Sequence, residues 1–214
     1  MPRLVQPEIL DALPACNPDA IASRRDLVKI NHLMGNFRWF NTIIKSQQPQ
    51  ARYIEIGAGD GSLAKRLCKL LPPGNYDALD IAAKPRACPN NCKWIVMDLL
   101  QYPNYTHYTH LIANLILHHF NSSQLSRLGT HIQNSGIQKL IICEPCRRAI
   151  HKLQLRAGKY IGFNYVTLND GCISVDAGFR GHELAEQLGL SHKEWAWHID
   201  ETWMGAYRLL ANRK

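Results

Sequence analysis

From residue 51 onward, short apolar segments that suit buried strands alternate with amphipathic segments that suit helices. Parallel strands need a crossover connection, usually a helix, so this alternation predicts a parallel sheet with helices on both faces. The predicted strands of this part are residues 53–56, 76–81, 94–97, 110–117 and 139–143. A helix is expected at 62–71, another opening at Ser122 or Ser123, and a basic one after the fifth strand.

The end of the chain breaks this alternation. After a short helix at 182–188, residues 193–199 and 206–211 predict two strands with only a short connection between them. Strands joined in this way are antiparallel. The sequence therefore predicts an α/β fold in which five parallel strands are completed by a C-terminal antiparallel hairpin.

The first 50 residues contain no segment typical of a strand. Asp26 is a suitable N-cap for a helix whose apolar residues recur at helical spacing as far as Met34, and 37–45 predicts a second helix after Gly35. Residues 1–50 are therefore expected to form a helical unit of their own.

Length and composition exclude several classes of protein. The 214 residues suit one domain, and 46% apolar with 20% charged residues exclude a disordered chain, collagen and a coiled coil. The apolar runs are far shorter than the roughly 20 residues of a membrane-spanning helix. The N-terminal residues lack the apolar region of a secretory signal, so we expect a cytoplasmic protein.

Seven cysteines, an odd number, indicate reduced thiols in such a protein. Two closely spaced pairs, Cys88 with Cys92 and Cys143 with Cys146, raise the possibility of a zinc site. The first pair falls in a loop and the second ends a strand, so ordinary buried or loop thiols are the favoured interpretation.

The chain is basic, with 25 Lys and Arg against 17 Asp and Glu, a net charge of +8. Arg148, Lys152, Arg156 and Lys159 recur on one face of the predicted basic helix. Such a face is either a nucleic-acid surface or a solvated helix face, and the latter is the more common.

A glycine-rich loop follows the first strand, where residues 55–63 read Glu-Ile-Gly-Ala-Gly-Asp-Gly-Ser-Leu. Such loops let the backbone approach a ligand, and dinucleotide-binding proteins have them as well. Here Glu55 and Asp60 place negative charge around the loop, and Ser62 occupies the position of the third dinucleotide-motif glycine. The loop therefore favours a ligand without phosphate.

Two further acids follow the next two strands. Asp80 ends the second strand, where a carboxylate can accept hydrogen bonds from ribose hydroxyls. Asp98 ends the third strand, where it can accept one from an adenine amino group. Together with Glu55, these acids predict a cationic ligand that contains adenosine.

These segments, with the run Asn-Leu-Ile-Leu-His-His-Phe at 114–120, resemble class I S-adenosylmethionine-dependent methyltransferases over about residues 51–211. Within that class the chain is similar to small bacterial enzymes related to quinone-biosynthesis methyltransferases. The resemblance implies S-adenosylmethionine as the cofactor and S-adenosylhomocysteine as its product. It implies cofactor contacts at Glu55, Gly57, Ala58, Gly59, Asp60, Gly61, Asp80, Ile81, Asp98, Leu99, Asn114 and Leu115.

The resemblance also suggests how the chain is divided. Residues 1–50 would form a helical cap over the active site, and 51–214 the S-adenosylmethionine-binding domain with a substrate-side insert at about 160–182.

Two histidines follow the fourth strand, at the edge where a methyl acceptor would lie. Histidine suits removal of a proton from a phenol near neutral pH, and His119 is preferred over His118 as this base. Some related O-methyltransferases bind a divalent metal here through carboxylates and a histidine. Leu115 and His118 replace those acids, so no metal is expected.

The acceptor pocket is expected to take its other walls from the cap and the insert. Aromatic side chains at this density suit a planar apolar acceptor, and each arginine could meet a carboxylate of the acceptor or cofactor or form a surface ion pair. The expected substrate contacts are His32, Phe37, Arg38, Trp39, Tyr165, Phe179 and Arg180.

The sequence thus predicts an enzyme that methylates a hydroxyl, preferably phenolic, of a small aromatic, quinone-like or polyketide-derived metabolite. A nucleic-acid methyltransferase is the alternative that the charge favours, but the Asn/Asp-Pro-Pro-aromatic run of amine-methylating enzymes is absent after the fourth strand. A catalytically silent cofactor-binding protein also stays open. A nicotinamide dehydrogenase is disfavoured by Asp60 and the terminal hairpin.

Overall fold

A seven-stranded sheet forms the centre of the computed structural model, which describes residues 2–86 and 88–214. Its strand order is β3-β2-β1-β4-β5-β7-β6. The strands are β1 Tyr53–Ile56, β2 Tyr76–Asp80, β3 Lys93–Val96, β4 His110–Asn114, β5 Lys139–Pro145, β6 Trp195–Glu201 and β7 Ala206–Arg213.

Strands β1 to β5 are parallel to one another, and β7 pairs antiparallel with both β5 and β6. The predicted parallel sheet with a C-terminal hairpin is therefore confirmed. The chain runs outward from β1 to β3 and then returns to β4 on the other side of β1. This reversal opens a crevice at the carboxyl ends of β1 and β4, where ligands bind in open α/β sheets.

Within the described residues, eight α-helices surround the sheet, together with 3-10 turns at Leu117–His119 and Gly158–Ile161. The helices are α1 Ile9–Ala12, α2 Pro18–Leu33, α3 Asn36–Lys45, α4 Ser62–Leu67, α5 Ser122–Gln133, α6 Ala149–Ala157, α7 Tyr165–Ala177 and α8 Glu183–Gln187.

Helix α2 begins eight residues before the predicted cap at Asp26, so that prediction is wrong. The Asn17 side chain accepts a hydrogen bond from the amide of Asp19 at 2.8 Å, and Pro18 occupies the first helical position. Asn followed by Pro is a strong helix start. Asp26 is instead buried in mid-helix, where its carboxylate accepts from the amide of Asn164 at 2.7 Å and ties α2 to the start of α7.

Strand β4 is three residues shorter than predicted. It ends at Asn114 because Leu115 adopts a positive φ of 57°. Strand β5, in contrast, continues two residues beyond the predicted end, to Pro145. The difference brings Glu144 of β5 beside the turn that follows β4.

The core has two parts, one on each face of the sheet. Side chains alternate between the faces along each strand, so Ile54 and Ile56 pack on the face of α5 and α8, and Tyr53 packs on the face of α3 and α4. Trp195 is fully buried in the first part of the core, and Phe40 is fully buried in the second. No helix in the described ranges is long and apolar enough to cross a bilayer.

The four cysteines considered as zinc ligands are all buried. Cys88 and Cys92 lie between β2 and β3, whereas Cys143 lies in β5 and Cys146 directly after it. Strands β1 and β4 separate β2 from β5 in the sheet, and neighbouring strands are about 4.8 Å apart. The two pairs are therefore too far apart to share a metal ion.

Close packing of α5 on the end of α8 gives a test of the fold. A Cβ added at Gly129 would lie 2.2 Å from the carbonyl oxygen of Leu188. Gly129→Ala should therefore lower the free energy of unfolding by about 1–3 kcal/mol, although alanine usually favours a helix over glycine. Urea unfolding measures this, with Ser126→Ala on the exposed side of α5 as the control. Equal stability of both variants would contradict this packing.

Candidate active site

The crevice at the carboxyl ends of β1 and β4 is a cavity of about 1220 Å³. Pockets for a single small molecule span roughly 300–1000 Å³, so this cavity has room for two ligands side by side. One end is formed by the glycine-rich loop and the ends of β2 and β3. The other end is formed by the first three helices and by α6 and α7.

The glycine-rich loop meets the cavity with exposed backbone. Gly59 has a φ of 54°, and a Cβ added there would meet no atom within 4 Å. Its amide donates to Asp80 Oδ2 at 2.7 Å. Asp60 accepts from both the amide and the hydroxyl of Ser62, which places a negative charge at the start of α4. A phosphate would be repelled there.

The acids at the ends of β2 and β3 are held by backbone amides. The second oxygen of Asp80 accepts from the amide of Ala82 at 2.8 Å, and Asp98 accepts from the amide of Leu100 at 2.8 Å. Both carboxylates line the cavity. Fixed in this way, they present their remaining lone pairs without further loss of side-chain freedom.

Glu55 is the buried acid of this end, with 2% of its surface exposed. Burial raises the pKa of Glu55 to about 8, although the hydroxyl of Tyr76 donates to its carboxylate at 2.6 Å and opposes that rise. Asp60 and Asp80 raise the pKa further by repulsion. At pH 7 the carboxyl of Glu55 is therefore mostly protonated, and a cation beside it would lower this pKa and favour the ionised form.

Almost all residues predicted to contact the cofactor line this cavity. Gly61 is the exception, since it faces Cys88 and Trp94 behind the loop. The residues that line the cavity are Glu55, Gly57, Ala58, Gly59, Asp60, Asp80, Ile81, Asp98, Leu99, Asn114 and Leu115. Their contact with a cofactor stays a prediction.

The turn after β4 is organised by Glu144, a residue that the sequence analysis did not single out. Its buried carboxylate accepts from the amides of Ile116, Leu117 and His118 at 3.0, 2.8 and 3.2 Å. The Nδ1 of His118 donates to the same carboxylate at 2.7 Å. Four N–H groups thus satisfy one buried charge.

His118 is buried between two carboxylates. Its Nε2 lies 3.7 Å from Glu8 Oε1, opposite Glu144. Burial opposes the charged ring, but the carboxylates of Glu144 and Glu8 outweigh it and raise the pKa of His118 to about 9. Burial raises the pKa of Glu8, but the hydrogen bond and charge of His118 outweigh it, so that this pKa lies below its ordinary value. His118 is therefore an imidazolium at neutral pH, already paired.

His119 has the opposite environment. Its ring lies 4.3 Å from that of His118, and its side chain is 26% exposed to the cavity side. Burial and the charge of His118 lower the pKa of His119, while Glu8, Asp11 and Glu144 oppose the lowering without cancelling it. His119 is therefore neutral at pH 7 and able to accept a proton.

Glu8, His118 and His119 form a cluster whose spacing alone would admit a metal ion. Among the described residues, Glu8, His118 and His119 each place a ligand atom within 4.8 Å of the others. His118 is already satisfied by two carboxylates, however, so the cluster is complete as an ion-pair network.

The end of the cavity formed by helices, where the sequence predicts the acceptor, is called the acceptor end here. Residues 2–13, called the N-terminal strap, close this end. Arg3 donates to the carbonyl oxygens of His118 and Phe120 at 3.0 and 2.7 Å. Asp170 of α7 accepts from the amides of Ile9 and Leu10 at 2.9 and 2.8 Å. The strap is thereby fixed to both the turn after β4 and helix α7.

Of the predicted substrate contacts, Phe37 lines the cavity. Helix α3 buries Phe37, Phe40 and Ile44, so the intervening side chains face other directions. His32 and Arg38 border a separate pocket of about 340 Å³. The remaining four lie outside both pockets: Trp39 beneath Arg208, Tyr165 on the surface, Phe179 in the core beneath Arg3, and Arg180 on the surface.

The acceptor end is lined instead by residues that the sequence analysis did not single out as substrate contacts. Leu155 of α6, Val175 of α7 and Met204 of the β6–β7 turn supply apolar surface, and His151 of α6 supplies a polar group. No sequence signal indicated that these side chains face a cavity.

No family model matches the sequence, and no curated protein matches it. Among solved structures, the plantazolicin methyltransferase BamL, crystallised with a triazolic desmethylPZN analogue and SAH, superimposes with a TM-score of 0.67 at 12% identity, over 96% of this chain and 92% of that chain. The pyocyanin biosynthetic protein PhzM gives 0.61 at 19% identity, over 97% of this chain and 62% of that chain.

Human N-acetylserotonin methyltransferase, crystallised with SAM, gives a TM-score of 0.54 at 13% identity, over 94% of this chain and 60% of that chain. These matches agree with the strand order and the terminal hairpin described above. The chain has the class I methyltransferase fold.

The His118 network predicts a pH dependence of stability. The pKa of His118 is about 9 in the folded protein against 6.5 ordinarily, so its contribution is complete below pH 6.5 and is lost as pH rises through 9. The full contribution is on the order of 3 kcal/mol. Urea unfolding at several pH values should show a larger loss in the native protein than in His118→Gln. An equal loss of unfolding free energy with pH in both proteins would contradict a charged, buried His118.

Proposed function

We propose that this chain is an S-adenosylmethionine-dependent methyltransferase that methylates a phenolic hydroxyl of a small aromatic metabolite. The observation that carries the proposal is that two chemically different ends belong to one cavity, the one of about 1220 Å³. Its one end presents three acids around a glycine-rich loop, and its other end presents a neutral histidine among apolar side chains. A cofactor and an acceptor could therefore lie side by side within it.

The residues at the first end fit the cofactor. Asp80 would accept from the ribose hydroxyls and Asp98 from the adenine amino group, while Glu55 would pair with the ammonium group. The negative charge of Asp60 at α4 suits a ligand without phosphate. When bound, S-adenosylmethionine supplies an electrophilic methyl group. BamL and the human enzyme were crystallised with SAH and SAM, which supports this assignment.

At the second end, His119 would accept the proton of the acceptor hydroxyl. A general base must be unprotonated at the working pH, and the lowered pKa of His119 meets this requirement. His118 keeps its proton and instead holds the turn and the strap through Glu144 and Glu8. Holding acceptor and cofactor in line would supply most of the rate.

Apolar walls at this end favour a small aromatic acceptor over a nucleic acid. The basic face of α6 is also partly neutralised, since Arg148 pairs with Glu201 and Lys152 with Asp176. PhzM is a pyocyanin biosynthetic protein and BamL a plantazolicin methyltransferase, so this fold serves natural-product chemistry in neighbours of similar shape.

Cofactor binding is the first test. S-adenosylhomocysteine should raise the thermal unfolding midpoint, and NAD should not. Asp80→Ala should weaken S-adenosylhomocysteine binding by about 1.5–3 kcal/mol in calorimetry, the scale of hydrogen bonds to a charged group. Asp80→Asn, which keeps one acceptor oxygen, should lose less, and the exposed Glu194→Ala is the control. An equal response to both ligands, or a response to NAD alone, would refute the proposal. Unchanged affinity in Asp80→Ala would show that this acid is not the ribose partner.

Removal of His119 tests the chemistry. With S-adenosylmethionine and the phenol turned over fastest in a screen, His119→Ala should be slower by roughly 10²–10⁴-fold while S-adenosylhomocysteine affinity is retained. The native rate should fall in acid, below the lowered pKa of His119, as the ring becomes protonated. Mass spectrometry of the methylated product measures both effects.

Exposed His198 of β6 offers a matched control, since His198→Ala removes the same ring at a position that does not line the cavity. A chelator should leave the native rate unchanged, because the cluster is complete without a metal. Near-native turnover and pH profile in His119→Ala would exclude it as the base. A similar loss of turnover in His118→Gln, without one in His119→Ala, would identify His118 as the base.

A further inference from the structure

His151 of α6 is a buried polar side chain in the wall of the acceptor end. Only 4% of its surface is exposed, and it borders the cavity together with Pro145 at the end of β5. The ring packs against the backbone of Gly205 in the β6–β7 turn, where an added Cβ would lie 3.2 Å from its Cγ. The ring is thus held in place by the fold.

The hydrogen bonds around His151 define which nitrogen carries the proton. The side-chain amide of Gln154 donates to the carbonyl oxygen of Trp203 at 3.2 Å, so its oxygen is the atom that faces His151. That oxygen lies 2.8 Å from Nδ1 of His151 and can only accept. Nδ1 therefore carries the proton, and in the neutral ring Nε2 is a hydrogen-bond acceptor.

This Nε2 atom is buried and has no hydrogen-bond partner among the described residues. Buried polar groups in folded proteins are usually paired, because an unsatisfied acceptor destabilises the fold. Leu155 and Met204, which border the cavity with His151, are apolar and offer no side-chain donor. The missing donor could therefore come from what occupies the cavity that His151 borders.

We infer that His151 Nε2 receives a hydrogen bond from a second donor group, a hydroxyl or N–H, of the methyl acceptor. The inference rests on the proposed function and narrows its substrate class. A carbonyl or carboxylate of the ligand would place its oxygen lone pairs against the lone pair of His151 Nε2. Such a group is therefore disfavoured at this position. At this position the cavity therefore favours an aromatic acceptor with a second hydroxyl or N–H over one that presents a carbonyl there.

The tautomer can be tested without any acceptor. Nitrogen-15 NMR of the histidine rings, in protein saturated with S-adenosylhomocysteine, should show a proton on Nδ1 of His151 and none on Nε2. Assignment follows from the signal that disappears in His151→Phe. A proton on Nε2 would make that atom a donor and overturn the inference.

Matched ligands test the recognition. Binding of naphthol and of the dihydroxynaphthalene isomers is compared by calorimetry on protein saturated with S-adenosylhomocysteine. The best diol should bind about tenfold more tightly than naphthol, the scale of one buried hydrogen bond. In His151→Phe, which keeps the ring volume, the two affinities should agree within about twofold.

A second variant should reverse the preference. In Gln154→Glu, the carboxylate beside Nδ1 favours the protonated ring, and Nε2 becomes a donor. This variant should bind hydroxynaphthaldehyde, which offers a carbonyl, more tightly than the diol. Gln138→Glu, the same change at an exposed site before β5, should keep the native preference.

The outcomes separate this inference from the proposed function. Failure to bind S-adenosylhomocysteine would refute the methyltransferase proposal itself. Normal cofactor binding with no preference for the diol, or a preference that persists in His151→Phe, would refute the role of His151 alone. Absence of binding by every naphthalene probe would refute the inferred substrate class.

Discussion

The buried carboxylate of Glu144 is the constraint on which the active-site end of this molecule depends. A charge without contact with water is tolerated only when hydrogen bonds and an opposite charge compensate it. Three successive amides of the turn after β4, together with the ring of His118, provide that compensation. The chain must therefore leave the strand at Leu115, with a positive φ that leucine rarely adopts, so that its amides face β5.

This arrangement extends to the N-terminal strap. His118 carries a charge because of Glu144, and that charge in turn holds Glu8 of the strap. Glu8 also accepts from the hydroxyl of Ser174 on α7, and Arg3 donates to the backbone of the turn. The buried acid in β5 thus favours the charge of His118 and, through it, the position of the strap. Burial, together with the charge of His118, lowers the pKa of His119, as the proposed chemistry requires.

The end of the cavity at the glycine-rich loop was predictable because it depends on local pattern and strand direction. Parallel strands bring their carboxyl ends to one edge, so Glu55, Asp80 and Asp98 had to meet there once the strands were recognised. The acceptor end was less predictable. Arg38 and Trp39 adjoin Phe37 in sequence, yet helix α3 presents them in other directions. Asp26 resembled a helix cap, yet it ties α2 to α7 from within a longer helix.

The sequence by itself determined the order of strands and helices, the terminal hairpin and the glycine-rich loop with its acids, because each follows from residues near one another in the chain. Only the tertiary structure decided which histidine is charged, which side chains line the acceptor end, and that His151 keeps an unpaired nitrogen in its wall. These properties depend on partners distant in sequence, such as Glu8 and Glu144 for His118. Burial and electrostatic environment arise only when those partners are packed together.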